Sequence, residues 1–303
     1  MSRFSGERLK DWQPHRPNEA RADGMRAVVV GGTGGLGRAV ARWLAARGAE
    51  VTVVGQTFRD TSVGHLSFVK ADLSLMSEAR RVAEMLPAEQ LDLLVFTTGI
   101  FSTPRRETTS EGIERDLATS YLNRFVMLRA LASRLGNGRA VAARPVRVFI
   151  MAFPGTGQAG DPDDLNSEHT YRQMAAHMNT VAGNEALVLH AAHVYPHLRV
   201  FGLHPGIVKT NIRANIHGGS DTLRFKVIER IIGLLTPTAE AYAERLGPVI
   251  LAPDLDEKSG VHFNAKGVAI APSTVMTVEH VERLITASEE LLKRSSTPRS
   301  PDG

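Results

Sequence analysis

The 303-residue chain has no cysteine, which excludes disulfides and thiolate metal sites and fits a reducing cytoplasm. No apolar run approaches the roughly 18 residues of a membrane span, and no signal-peptide pattern follows Met1. Aromatic residues are scarce at 6%, and the basic residues form no block, so nucleic acid is not an expected partner. The net charge of +4 is mild for this length and favours an anionic ligand only slightly. A central linker is also missing. Strand and helix patterns alternate without a break, and 43% apolar residues suffice for one large core. Residues 1–24 are polar and mixed in charge, with Trp12 and Pro14 as their only features, and read as a mobile extension. Residues 295–303, rich in Ser and Pro, read as a disordered tail. One domain over residues 25–294 is left.

Glycine, in contrast, is concentrated where it matters. Val28-Val29-Val30 runs into Gly31-Gly32-Thr33-Gly34-Gly35-Leu36-Gly37, and a helical pattern leaves through Arg38, Ala39, Val40, Trp43 and Leu44. This order suits a buried strand, a tight turn and a helix N-terminus. Such a helix end presents unpaired N–H groups and roughly half a positive charge, which attract a phosphate. The next strand, Glu50 to Val54, completes the pattern of a nucleotide site.

Gly31-x-x-x-Gly35-x-Gly37 resembles the cofactor loop of the short-chain dehydrogenase/reductase family. That resemblance, running from about Met25 to Arg294, implies a doubly wound α/β (Rossmann) three-layer sandwich. Its parallel sheet would have seven strands in the order 3-2-1-4-5-6-7. It also implies NAD or NADP lying over Gly31, Thr33, Gly34, Gly35, Leu36 and Gly37. The second strand ends at Gly55-Gln56-Thr57-Phe58-Arg59, with no acid to hold ribose hydroxyls. Gln56, Arg38 and Arg59 therefore tilt the choice to NADP, with NAD as the alternative. Asp72 and Leu73 resemble the family's adenine contact, and Ser74 is placed to cap the following helix. Phe96-Thr97-Thr98-Gly99 stands where relatives show Asn-Asn-Ala-Gly, so Thr98 and Gly99 are expected beside the cofactor. His204-Pro205-Gly206-Ile207-Val208-Lys209-Thr210 resembles the family's Pro-Gly-x-Val-x-Thr loop, which implies cofactor contacts from Pro205, Gly206, Val208 and Thr210. A homodimer through helices at about 110–135 and 171–194 is implied in the same way.

The catalytic positions depart from the family. The usual member uses a Tyr as acid or base, a Lys four residues later, a Ser at the carbonyl and an Asn near the Lys. A phenol of pKa about 10 works near pH 7 only beside a cation. Counting back from His204-Pro205-Gly206 without gaps sets the Tyr position at His177 and the Lys position at Val181. The Ser position falls on Phe153 and the Asn position on Ser120. A second register offers Tyr171, with Ala175 in place of the Lys. His177 is the candidate acid, since an imidazole exchanges protons near pH 7 without a lysine; Tyr171 and Tyr121 are its reserves.

Three functions remain open: an oxidoreductase with altered catalytic groups, a silent nucleotide-binding protein, or a non-redox enzyme performing a cyclisation, dehydration or isomerisation. His190 and His193 share a helix face but lack a third ligand, so no metal is expected. Residues 211–247 read as a substrate lid with an apolar face at Leu223 to Leu235. With Phe96, Met151 and Phe153 nearby, they point to an apolar small-molecule substrate.

Overall fold

The computed structural model describes residues 6–140, 143–206 and 237–296. Val208, Thr210 and most of the lid segment, residues 211–236, lie outside them.

Eight strands form one sheet in the order β3-β2-β1-β4-β5-β6-β7-β8. They are β1 (Arg26–Val30), β2 (Glu50–Gly55), β3 (Leu66–Lys70), β4 (Leu93–Phe96), β5 (Val146–Met151), β6 (Leu198–Leu203), β7 (Val261–Phe263) and β8 (Ala269–Ile270). The first seven in chain order pair in parallel as expected, and β8 adds an antiparallel edge that the sequence reading did not foresee. One row of paired residues crosses the sheet through Val69, Val54, Val30, Phe96, Ile150, Gly202, His262 and Ile270. The carboxyl ends of the parallel strands therefore share one edge, where ligands bind in open α/β sheets.

Two cores flank the sheet. On one face lie α1 (Gly35–Ala45) and α5 (Ala239–Ile250). Trp43 seals this layer, its indole N–H donating to Glu244 at 2.9 Å. Residues 239–247, expected within the lid, are the first turns of α5, because Tyr242, Ala243 and Leu246 join this core. On the other face lie α2 (Met76–Met85), α3 and α4 (Gln173–Val194). Helix α3 is continuous through Arg115–Leu117, a wider π-type turn at Ala118–Leu122, and Asn123–Ala132. The closing helix α6 (Val278–Ser296) packs against α4, and the Tyr121 hydroxyl of α3 bonds Ser288 of α6 at 2.8 Å. Residues 179–188 of α4 and 121–128 of α3 are buried on every side. Helix α6 thus closes over part of the α3–α4 pair.

Residues 6–24 are not the expected mobile arm. Leu9 N–H donates to Ala269, Ala271 N–H to Glu7, and Gln13 bonds both ways with the backbone of Ala269. Trp12 packs 6.3 Å from the Phe263 ring. Edge strand β8 offers unpaired backbone groups, and the N-terminal segment covers them. Ser74 is likewise not the cap of α2. Its hydroxyl turns to Asp72, and the Glu111 carboxylate accepts from the N–H groups of Met76 and Ser77 at 2.6 and 3.0 Å.

Candidate active site

The turn after β1 leaves no room for a side chain at Gly31 or Gly37. Gly31 has φ of +86°, and a Cβ there would lie 2.6 Å from the Thr98 nitrogen. A Cβ on Gly37 would meet Thr97 Oγ1 at 2.2 Å and the Gly31 carbonyl at 2.5 Å. Gly34, at the N-cap of α1, faces open space, and no side chain caps the helix. The free N–H groups of that turn point to the carboxyl edge of the sheet, as an anion site requires. Leu36 is buried beneath it.

Beside this turn, the Thr33 side chain lies where a Cβ on Gly55 would stand, and Arg59 approaches the Thr33 carbonyl at 3.4 Å. Arg38 is already engaged. It makes a two-pronged pair with Asp60 at 2.7 and 2.6 Å, reinforced by Arg42 at 2.8 Å. These arginines, Arg38 first, hold the Asp60 carboxyl below its usual range. Arg59 is left as the exposed cation at the end of β2. Asp72 accepts from Ser74 N–H and Oγ at 3.0 and 2.7 Å, and against the burial that would raise it, Ser74 and the nearby Gln56 hold its carboxyl below the usual range, so these two predicted contacts form one polar corner. Leu73 is buried, its carbonyl taken by Asn123. The Thr98 hydroxyl meets Asn123 at 3.3 Å, while a Cβ on Gly99 would make only an ordinary contact with Ser120 Oγ, at 3.8 Å. Pro205 and Gly206 close the far side, Gly206 N–H donating to His204 Nδ1 at 2.8 Å.

The candidate reaction centre is built by α3, α4 and the loop after β4. His177, in the second turn of α4, donates or accepts through Nδ1 with Asp116 Oδ2 at 2.7 Å. Asp116, at the start of α3, is fully buried. Its Oδ2 also accepts from Ser102 N–H at 3.0 Å and Ser102 Oγ at 2.8 Å, and its Oδ1 accepts from Ser120 Oγ. Ser120 in turn accepts from Ile100 N–H at 3.0 Å. Phe101 stacks on the His177 ring with centroids 4.1 Å apart. Further along the same stripe of α3, Arg124 reaches the Thr98 carbonyl, the Met151 carbonyl at 2.5 Å and Asn184 Oδ1 at 2.7 Å. Burial pushes this guanidinium down to about 9, against the pull of Asp116.

His177 and Ser120 are therefore brought together through Asp116. Tyr171 is not part of that cluster. Its hydroxyl donates to the Thr103 carbonyl at 2.5 Å, and burial raises it further from neutral pH. Tyr121, the other reserve, faces α6, and burial raises it too. Phe96 and Met151 are also displaced from the expected pocket. Strand alternation sends their side chains into the two cores, while Phe153 stays half-buried against the His204 ring at 4.3 Å. Asp116, Ser102, Phe101 and Arg124 escaped the sequence reading. Asp116, Ser120 and Arg124 recur every four residues along one side of α3, and that polar stripe was the available signal.

The short chain dehydrogenase family profile matches residues 25–143. The uncharacterized oxidoreductase YKL107W of Saccharomyces cerevisiae is 46% identical over 294 residues, covering 96% of this chain and 95% of the yeast protein. The chain belongs to the short-chain dehydrogenase/reductase family. Human retinol dehydrogenase 13 is a more distant relative, 24% identical over 93% of this chain and 88% of its own. A Shigella flexneri short chain dehydrogenase solved with NADP shares the fold, with a TM-score of 0.60 at 17% identity over 82% of this chain and all of that one. Membership brings oxidoreductase chemistry and a fold that binds NAD or NADP. The uncapped N-terminus of α1, open at Gly34, fits the pyrophosphate of either. No described helix is long and apolar enough to cross a membrane.

Proposed function

We propose that this short-chain dehydrogenase/reductase is an NADP-dependent enzyme that interconverts a carbonyl and an alcohol on an apolar small molecule in the cytoplasm. His177 moves the proton. The single observation behind this is the partly exposed His177 ring, held by a buried carboxylate in the stretch of α4 where relatives carry their tyrosine. When bound, the dinucleotide supplies the hydride. Gly31 to Gly37 would hold its pyrophosphate, Asp72 and Gln56 its adenosine end, and Thr98, Gly99, Pro205 and Gly206 its nicotinamide end. Arg59 favours the 2′-phosphate, since Arg38 is tied to Asp60. In reduction, the substrate oxygen takes a proton from His177 as the carbonyl carbon receives hydride; oxidation reverses both transfers. Phe101 and Phe153 favour an apolar substrate.

The test is oxidation of NADPH across a panel of apolar aldehydes and ketones, with product quantified against cofactor consumed. Equal amounts are expected. Substrate conversion without NADPH consumption would instead support a non-redox enzyme, and no conversion with tight NADPH binding a silent one.

A further inference from the structure

The acceptor count at Asp116 decides which nitrogen of His177 works. Oδ2 faces three neighbours, and Ser102 N–H can only donate. Ser102 Oγ, at 2.8 Å from the same oxygen, is a second donor. On Oδ1 the Ser120 hydroxyl donates too: it accepts from Ile100 N–H, and of the two oxygens within reach of its single hydrogen, Asp116 Oδ1 at 2.5 Å is far closer than the Ile100 carbonyl at 3.4 Å. A carboxylate surrounded by donors on both oxygens is acceptor-only. The remaining partner, His177 Nδ1 at 2.7 Å, must therefore carry a hydrogen. Its opposite nitrogen, Nε2, has no hydrogen-bond partner among the described residues, and the side chain keeps 12% exposure. Phe101 covers one face of the ring and fixes its plane, and a half-turn about the Cβ–Cγ bond within that plane would break the Nδ1 bond to Asp116.

We propose that Asp116 is a positioning residue that acts through His177, holding the imidazole in its Nδ1–H form and leaving Nε2 as the proton-exchanging atom. Ser102 and Ser120 fix the carboxylate itself. The sequence reading gave Ser120 a catalytic part; in this arrangement it supports Asp116 and does not touch substrate. The inference rests on reading His177 as the proton-transfer group, and it extends that reading to a named tautomer and a named atom. An imidazole so held accepts a proton at Nε2 on alcohol oxidation and returns it on carbonyl reduction, while Nδ1–H stays bonded to Asp116 throughout.

The experiment is long-range proton–nitrogen NMR of the full chain labelled with 15N-histidine, with the His177 signals assigned by their loss in His177→Gln. At a pH where the ring is neutral, Nδ1 should show a protonated-type shift and Nε2 an unprotonated one. This is the reverse of the form that free histidine prefers. Asp116→Ala should return the ring to the free preference. Asp116→Asn should keep the Nδ1–H form, because its amide oxygen can face Ser102 and His177 in place of Oδ2. An Nε2–H ring in the unmutated protein overturns the proposal without any variant. So does an unchanged tautomer in a folded Asp116→Ala protein. If Asp116→Ala fails to fold, the unmutated protein and Asp116→Asn still decide. The spectrum does not depend on turnover. A protein with the expected tautomer but no NADPH-linked conversion would leave Asp116 as the orienting group and defeat only the redox reading.

Discussion

Two loops meet the same edge of the sheet and are built in opposite ways. After β1, the chain works with backbone alone, since Gly31 and Gly37 sit where any Cβ would strike Thr97, Thr98 or Gly31 itself. After β4, the chain works with side chains, through Ser102, Asp116, Ser120 and His177 bonded to one another. A backbone site has one solution, because only glycine fits. A side-chain network has many, because a carboxylate and an imidazole can take over from a phenol and an ammonium. The first half accordingly kept its family motif, and on the register proposed for His177 the second carries other groups.

That contrast predicts where substitutions act. His177→Phe should lower turnover by about 10²- to 10⁴-fold, the usual cost of one acid–base group, while NADPH still binds. Tyr171→Phe should stay within a few-fold; stopped-flow kinetics on both would break the comparison if the order were reversed. Gly37→Ala should reach the other loop. Its methyl group, 2.2 Å from Thr97 Oγ1, should cost about 2–3 kcal/mol in a urea titration and weaken NADPH at least tenfold.

Buried His262 sharpens the comparison from another side, as a histidine with no carboxylate bonded to it. Its ring occupies the space over Gly202, and both nitrogens lack hydrogen-bond partners. Glu185 lies 3.9 Å away and gives its oxygens to Ser273 and Gly155. Burial pushes the imidazole down to about 3. The unfolded chain takes up this proton near pH 6.5 and the native chain does not. Stability from this group is therefore intact above about 6.5 and falls by up to about 1.4 kcal/mol per pH unit toward 3. Urea midpoints between pH 8 and 5 should fall less steeply in His262→Leu than in the unmutated protein. The smallest effect concerns Arg59→Ala, which should narrow the preference for NADPH over NADH by about fivefold in a fluorescence titration, roughly 1 kcal/mol. Arg38→Ala should change stability and leave that preference in place.

The parallel sheet was legible because each strand is a short apolar run bounded by glycine or by a helical pattern, and its order follows from right-handed crossovers. Strand β8 was not, since two residues carry no period. The N-terminal segment looked mobile because its ties, a few backbone bonds with Gln13 and Trp12, reach distant residues, 256 positions away for Gln13, that no local pattern marks. At the site, the gap-free count singled out His177 as the candidate, yet Asp116 lies 61 positions away and no local spacing ties them. Phe96 and Met151 were assigned to the pocket by nearness in sequence, and the pleat of the strand decided otherwise.

Helix α6 has a consequence for how this protein responds to dilution. A fold whose central helices are finished by a neighbouring copy loses stability as its concentration falls, because unfolding is then coupled to dissociation. Here the same helices are finished from within one chain, through Tyr121, Ser288 and the apolar residues around them. Its melting temperature should accordingly be the same at nanomolar and at micromolar protein, and removing residues 278–296 should be felt at every concentration alike.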